Sequence, residues 1–351
     1  MRRTLTALAL VASASLASAQ GDFTLSIDQS NSNFNWSGTS SLGAIVGNPS
    51  TAFQMSGTTH MILTAAGADP IASGALPGTG DAAVIPDLRG KINNVFPFLP
   101  PLALIDVNGL HLAFSASNFA IASNGAFTAN VTVTALAGTL VVTPLGSSAS
   151  STSLAGLTST PQAQTGTLTQ SGVTLSLAMP VNTTFPFSDP TTGASGTISI
   201  VGTLRAGWSC APASTYCTAK VNSLGCTPAI AVTGGASYSS ASPCVVSASN
   251  IVAQRGGLLF YGFAPSSAPF QGGFLCVQPP TLRTTIQNSG GTPGGGDCSG
   301  TFAFDMNAHI QSQVDPGLYP GRDVYSQYWS RDPASASTTN LTNAAKLTVC
   351  P

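Results

Sequence analysis

The chain has 351 residues, of which only 7% are charged, with 11 Lys and Arg set against 12 acidic residues. So sparse and balanced a charge leaves nothing to attract a polyanion, which excludes a nucleic-acid-binding class. Every acidic residue is Asp; the absence of Glu removes the HExxH zinc-protease motif, the twelfth ligand of an EF-hand and any Glu general acid.

The chain opens with "MRRTLTALALVASASLASAQ". Arg2 and Arg3 precede an apolar run from Leu5 to Leu16, and Ala17, Ser18 and Ala19 stand in AxA register, so residues 1–19 read as a secretory signal cleaved after Ala19. The run is shorter than the roughly 20 residues that cross a bilayer. No later stretch is long and apolar enough to span; "VFPFLPPLALI" comes nearest, and its prolines predict a packed loop and strand instead. Cleavage removes two basic residues and makes the mature chain slightly acidic.

Residues 20–206 contain no cysteine, whereas all seven fall between Cys210 and Cys350. That shift predicts a domain of residues 20–206, a cysteine-bearing linker at 207–227 and a second domain at 228–351. In the first, "DFTLSID" sends Phe23, Leu25 and Ile27 to one face, and "NFNWSGT" does the same with Phe34 and Trp36. Further alternating runs ("GTTHMILT", "LHLAFSAS", "AFTANVTVTA", "GVTLSLAMP", "GTISIVGTLRA") are mostly introduced by a Gly-Thr pair or a Gly turn, as in an antiparallel meander. "GSSASSTSLAGLTSTPQAQTG" reads as a hydroxyl-rich loop. The second domain carries shorter alternating runs separated by Gly, Pro and Ser clusters, the spacing of a β-sandwich or a jelly roll. The fold class expected is all-β: an N-terminal antiparallel β-barrel or sandwich and a C-terminal, disulfide-stapled β-sandwich.

"CTAKVNSLGC" separates Cys217 and Cys226 by eight residues. Zinc knuckles use gaps of two to four and a redox pair uses CxxC, whereas "VNSLG" has the residues of a turn that brings two thiols together for oxidation. Such a bridge would stabilise the fold by about 2.7 kcal/mol on the loop-entropy model. The expected pairing is Cys217 with Cys226, Cys276 with Cys298 and Cys210 with Cys350, leaving Cys244 free.

Two candidate ligand faces stand out. In "TFAFDMNAHI", read as ten alternating residues, Asp305, Asn307 and His309 share one face. Residues two apart on a strand lie about 7 Å apart, so the row reads as a solvated outer face, with a Ca²⁺ site of Asp305, Asn307 and Asp315 as the alternative. In "VYSQYWSRDP", Tyr325, Gln327, Trp329 and Arg331 share a face. Flat rings flanked by hydrogen-bonding groups suit a sugar; the same rings also suit a sandwich core.

Enzyme readings find little support. His60, His111 and His309 sit within strand patterns, no GxSxG elbow accompanies them, and "GGTPGGGDCSG" lacks the Lys of a phosphate loop. No catalytic residue, metal or cofactor is expected.

The strings "YCTAKVNSLGCTPAI", "PFQGGFLCVQPP", "DCSGTFAFDMNAHI", "YWSRDP" and the final "TVCP" together resemble a C-terminal module that recurs in secreted proteins of environmental bacteria. Over about residues 216 to 351 the resemblance implies surface attachment, sorting or binding, with no assigned activity; Cys244 departs from its pattern. "SIDQSNSNFNWSGT" resembles the opening of the YceI-like lipid-binding barrels. The function expected is thus a secreted or cell-surface, non-enzymatic protein that contacts a cell-envelope component or glycan. The alternative is a carrier whose barrel encloses an apolar ligand among Phe34, Trp36, Phe96, Phe98 and Phe114.

Overall fold

The computed structural model describes residues 20–188, 193 and 195–351. The expected leader, residues 1–19, lies outside the described residues. The period-two runs become strands whose alternate side chains are buried: in Gln20–Ile27, Phe23, Leu25 and Ile27 point inward and the intervening residues outward.

These strands close on themselves. Gln20–Ile27, Ala52–Ala66, Asp69–Pro77, Ala103–Ala120, Ala126–Pro144, Gln162–Ser171, Thr174–Ser188 and Ser195–Ser209 pair in that order, all antiparallel, and Ser195–Ser209 returns to Gln20–Ile27 through Ser26↔Gly207. The circuit is a β-barrel, which leaves the wall without a free edge. At the other end of the barrel Asn33–Ser40, Gly43–Gly47 and Leu88–Ile92 fill the wall between Ser195–Ser209 and Ala103–Ala120.

The barrel interior is packed with side chains. Phe34 stacks on Phe53 with ring centroids 5.4 Å apart, Trp36 and Phe114 are buried among the inner aliphatics, and an interior void between Leu88, Leu112, Phe185 and Ile198 measures about 20 Å³. That is near the space of one water, against roughly 300 Å³ or more for a small-molecule site. Phe96 and Phe98 are not interior residues: they project into solvent from the loop before Ala103–Ala120. Pro97, Pro100 and Pro101 explain this, because proline cannot donate to a wall ladder.

The C-terminal part is a sandwich. One sheet runs Ser214–Tyr216, Thr339–Thr348, Asp323–Arg331, Gly256–Gly262 and Leu282–Arg283; the facing sheet is Ala229–Thr233, Val245–Ile251 and Gly300–Asp305. Leu259, Val324, Tyr328 and Leu347 from the first pack on Ile230, Val246, Ala248 and Phe302 from the second. Tyr328 also donates its hydroxyl to the Val246 carbonyl at 2.8 Å, crossing between the sheets. A hairpin, Pro265–Phe270 with Gly273–Val277, lies against the outer face of the first sheet.

Four expectations are corrected. Alternation in "TFAFDMNAHI" stops at Asp305, which accepts from the backbone N–H groups of Asn307 and Ala308 and so caps a helix, Met306–Gln311. The hydroxyl-rich stretch contains a strand, Ser150–Ser153, paired with Ala126–Pro144, and buries Leu154. The supposed linker is structural: its first residues complete Ser195–Ser209, and Ser214–Tyr216 adds an edge strand to the sandwich.

The fourth concerns sulfur. Cys210 is bonded to Cys350, but Cys217 is bonded to Cys276 and Cys226 to Cys298; Cys244 is free and buried. The turn of "VNSLG" does form, with Asn222 donating to the Cys226 carbonyl and accepting from its N–H, both at 2.9 Å. It lies along the body of the sandwich, where Asn222 also donates to the Asn250 carbonyl at 3.3 Å, and each of its cysteines meets a different partner segment instead of the other.

The sandwich sits under the barrel end that carries the turns at Gly67 and Gly172. Tyr238 donates its hydroxyl to the Gly67 carbonyl at 3.0 Å, and Gln170 donates to the Pro351 carbonyl at 2.8 Å. Gly21 is required here, since a Cβ on it would lie 2.0 Å from the Pro320 carbonyl oxygen.

Candidate binding cleft

The strand Asp323–Arg331 turns Val324 and Tyr328 into the sandwich and Tyr325 and Trp329 outward, toward the hairpin. Tyr325, Gln327 and Trp329 do share this hairpin-facing side, but they are not equally available to a ligand. Gln327 is fully buried and its amide is spent: Oε1 accepts from the Cys276 N–H at 3.0 Å, while Nε2 donates to the carbonyls of Thr342 at 2.7 Å and Phe274 at 3.1 Å. It fastens the hairpin to the sheet and offers nothing to a ligand. Tyr325 packs edge-on against Tyr216, with centroids 5.8 Å apart. Trp329, like Tyr325, is half-buried and Arg331 is exposed, with the Arg331 guanidinium 5.5 Å from the indole centroid.

Trp329 floors a cleft of about 330 Å³ together with Leu258 and Phe260, under a roof of Phe270, Gln271 and Leu275 from the hairpin and a flank of Thr281 and Arg283. The volume lies within the range of small-ligand sites. Its polar groups converge on an apolar floor: an amide, a hydroxyl and a guanidinium. Among the described residues neither Arg283 nor Arg331 has a carboxylate partner. Asp332 accepts from the Ser223 N–H at 2.8 Å, and Asp323 pairs with Lys346 at 2.8 Å. The cleft thus presents unneutralised positive charge beside an aromatic surface.

The roof is held by a residue that sequence reasoning missed. The Lys220 ammonium donates to the carbonyls of Gln271 at 2.9 Å and Thr339 at 2.7 Å, and to the hydroxyls of Ser335 and Ser337. These four contacts fix the hairpin tip. Gln271, in turn, accepts from the Trp329 indole N–H at 3.1 Å and from the Thr339 hydroxyl at 2.8 Å. Gln271 and Arg283 were also missed. The available signal was the turn "FQGGF", where aromatics flank a polar residue at a tight bend.

The proposed Ca²⁺ ligands do not converge. Asp305 caps the helix, Asn307 is buried with its amide donating to the carbonyls of Gly235 and Ser242, and Asp315 accepts from the Tyr261 hydroxyl at 2.8 Å and from the Gly317 N–H at 2.8 Å. Among the described residues no group of three or more His, Cys or Asp side chains is placed to hold a metal ion. His309 lies beside Tyr261, Nε2 to hydroxyl 3.0 Å; burial holds its imidazole below the usual range, against the opposing pull of Asp315. His111 meets Asp81 at 2.6 Å and His60 meets Asp22 at 3.4 Å, each on the outer wall of the barrel.

Comparison with protein-family models, with curated proteins and with solved structures found no match for the chain.

Proposed function

We propose that the chain is an exported, non-enzymatic binding protein whose C-terminal sandwich contacts a glycan of the cell envelope or its surroundings. The observation that carries this reading is the cleft of Trp329, Phe260, Gln271 and Arg283. The C–H face of a sugar ring fits an indole floor, the amide and hydroxyl match ring hydroxyls, and a free guanidinium favours sugars bearing carboxylate or sulfate. Three disulfides support an oxidising compartment, and no helix is long and apolar enough to cross a membrane. The filled barrel interior favours this reading over carriage of an apolar ligand.

The test is affinity electrophoresis of the exported chain in gels containing neutral or acidic polysaccharides, next to Trp329→Ala and Arg283→Ala. Retardation by an acidic polysaccharide that both substitutions weaken is the expected result. Equal mobility of all three proteins in every gel would discard the reading.

A further inference from the structure

The end of the barrel remote from the sandwich is unlike the rest of the surface. Three loops meet there: the turn at Ser41 and Leu42, the ten-residue loop 93–102, and residues 145–149. They are adjacent because Gly38↔Ile45, Ile45↔Ile92 and Ala103↔Pro144 place their strand ends side by side, and Leu145 donates its N–H to the Leu102 carbonyl at 2.8 Å. From them project Leu42, Val95, Phe96, Phe98, Leu99 and Leu145, with Val95 86% and Phe98 80% exposed. Phe96 and Phe98 lean on each other, centroids 5.7 Å apart, and both stay largely open to water. None of the three loops contains a charged residue.

From this end we infer that the barrel tip inserts into the interfacial layer of a lipid bilayer. Two features favour lipid over a protein partner. The apolar groups project from a convex tip instead of lining a groove, so a soft planar phase can cover all of them at once. Also, the three loops themselves carry no charge, so their insertion meets no ionic desolvation cost and needs no anionic headgroups. The tip lies opposite the Gly67 and Gly172 turns that meet the sandwich, so a lipid-seated barrel holds the Trp329 cleft away from the membrane.

Flotation of the mature chain with phosphatidylcholine vesicles tests this. The wild-type protein is expected to float, equally in 0.1 M and 0.5 M salt, and Phe96→Ser with Phe98→Ser is expected to lose at least tenfold in bound fraction at an unchanged melting temperature. Val95→Ser with Leu99→Ser gives the same comparison if the first variant folds poorly. In a Phe98→Trp variant the emission of the new indole should shift to the blue on adding vesicles. No flotation, equal flotation of wild type and variants, or flotation only with anionic lipid at low salt would overturn the inference. So would lipid-free self-association that the substitutions abolish, which would make a second copy the occupant. Glycan retardation is read independently of flotation, so either idea fails alone.

Discussion

The indole N–H of Trp329 donates to the side-chain oxygen of Gln271 at 3.1 Å, so the ring that floors the cleft is aimed by the hairpin that roofs it. Replacing Trp329 with Ala removes the largest apolar surface a ligand would meet, and binding of an acidic polysaccharide should weaken at least tenfold, about 1.4 kcal/mol or more. Gln271→Ala leaves the ring in place and frees its orientation; a severalfold loss is expected, in line with about 1 kcal/mol for one hydrogen bond. Titration calorimetry orders the two, and a larger loss for Gln271→Ala would contradict the arrangement.

Cys226 and Cys298 are bonded across a sequence separation of 72. Replacing both with Ser should lower stability by about 4 kcal/mol on the loop-entropy model, measured as a shift of the urea transition. Peptide mapping without reductant should join the Cys217 peptide to the Cys276 peptide. A Cys217–Cys226 link in native protein would refute the pattern.

Burial lowers the proton affinity of His309 in the fold below its ordinary value of 6.5, with Asp315 working against it. The unfolded chain then binds the proton more readily than the folded one, so stability rises with pH across this window. The contribution of the neutral ring is complete above about pH 6.5 and is lost as pH falls toward the folded-state value. Urea midpoints should therefore drop between pH 7.5 and 5.5, and His309→Asn should flatten that dependence. An unchanged slope in the variant would assign the effect elsewhere.

Cys244 is fully buried, and burial, reinforced by the Asp305 carboxylate, pushes its thiol up to about 11. At pH 8 it should resist iodoacetamide in the native protein and take up one carboxamidomethyl group per chain once unfolded without reductant. Alkylation of native protein at the rate of a free thiol would contradict its placement.

Much of the architecture was legible because burial on a strand has a period of two: Phe23, Leu25, Ile27, Phe34 and Trp36 announce an inward face without any tertiary information. The same rule misled at "TFAFDMNAHI", where an apolar alternation ran on into a short helix; the clue was Asp305, a helix-capping residue placed where the strand ends. Phe96 and Phe98 were read as barrel lining although three neighbouring prolines argue against a wall strand. Disulfide partners and the cleft were out of reach for a different reason. Cys217 meets Cys276, and Trp329 meets Gln271, only because separate strands and a hairpin fold together, and no local pattern records that meeting.

The Cys210–Cys350 bond joins the point where the chain leaves the barrel to the segment that follows the last strand of the sandwich, Thr339–Thr348. Tension applied between the barrel and the chain beyond Cys350 would run through that single covalent crosspiece, while the 139 residues looped behind it stay slack. Under load the sandwich would thus be bypassed, keeping its shape while the pull is borne by sulfur.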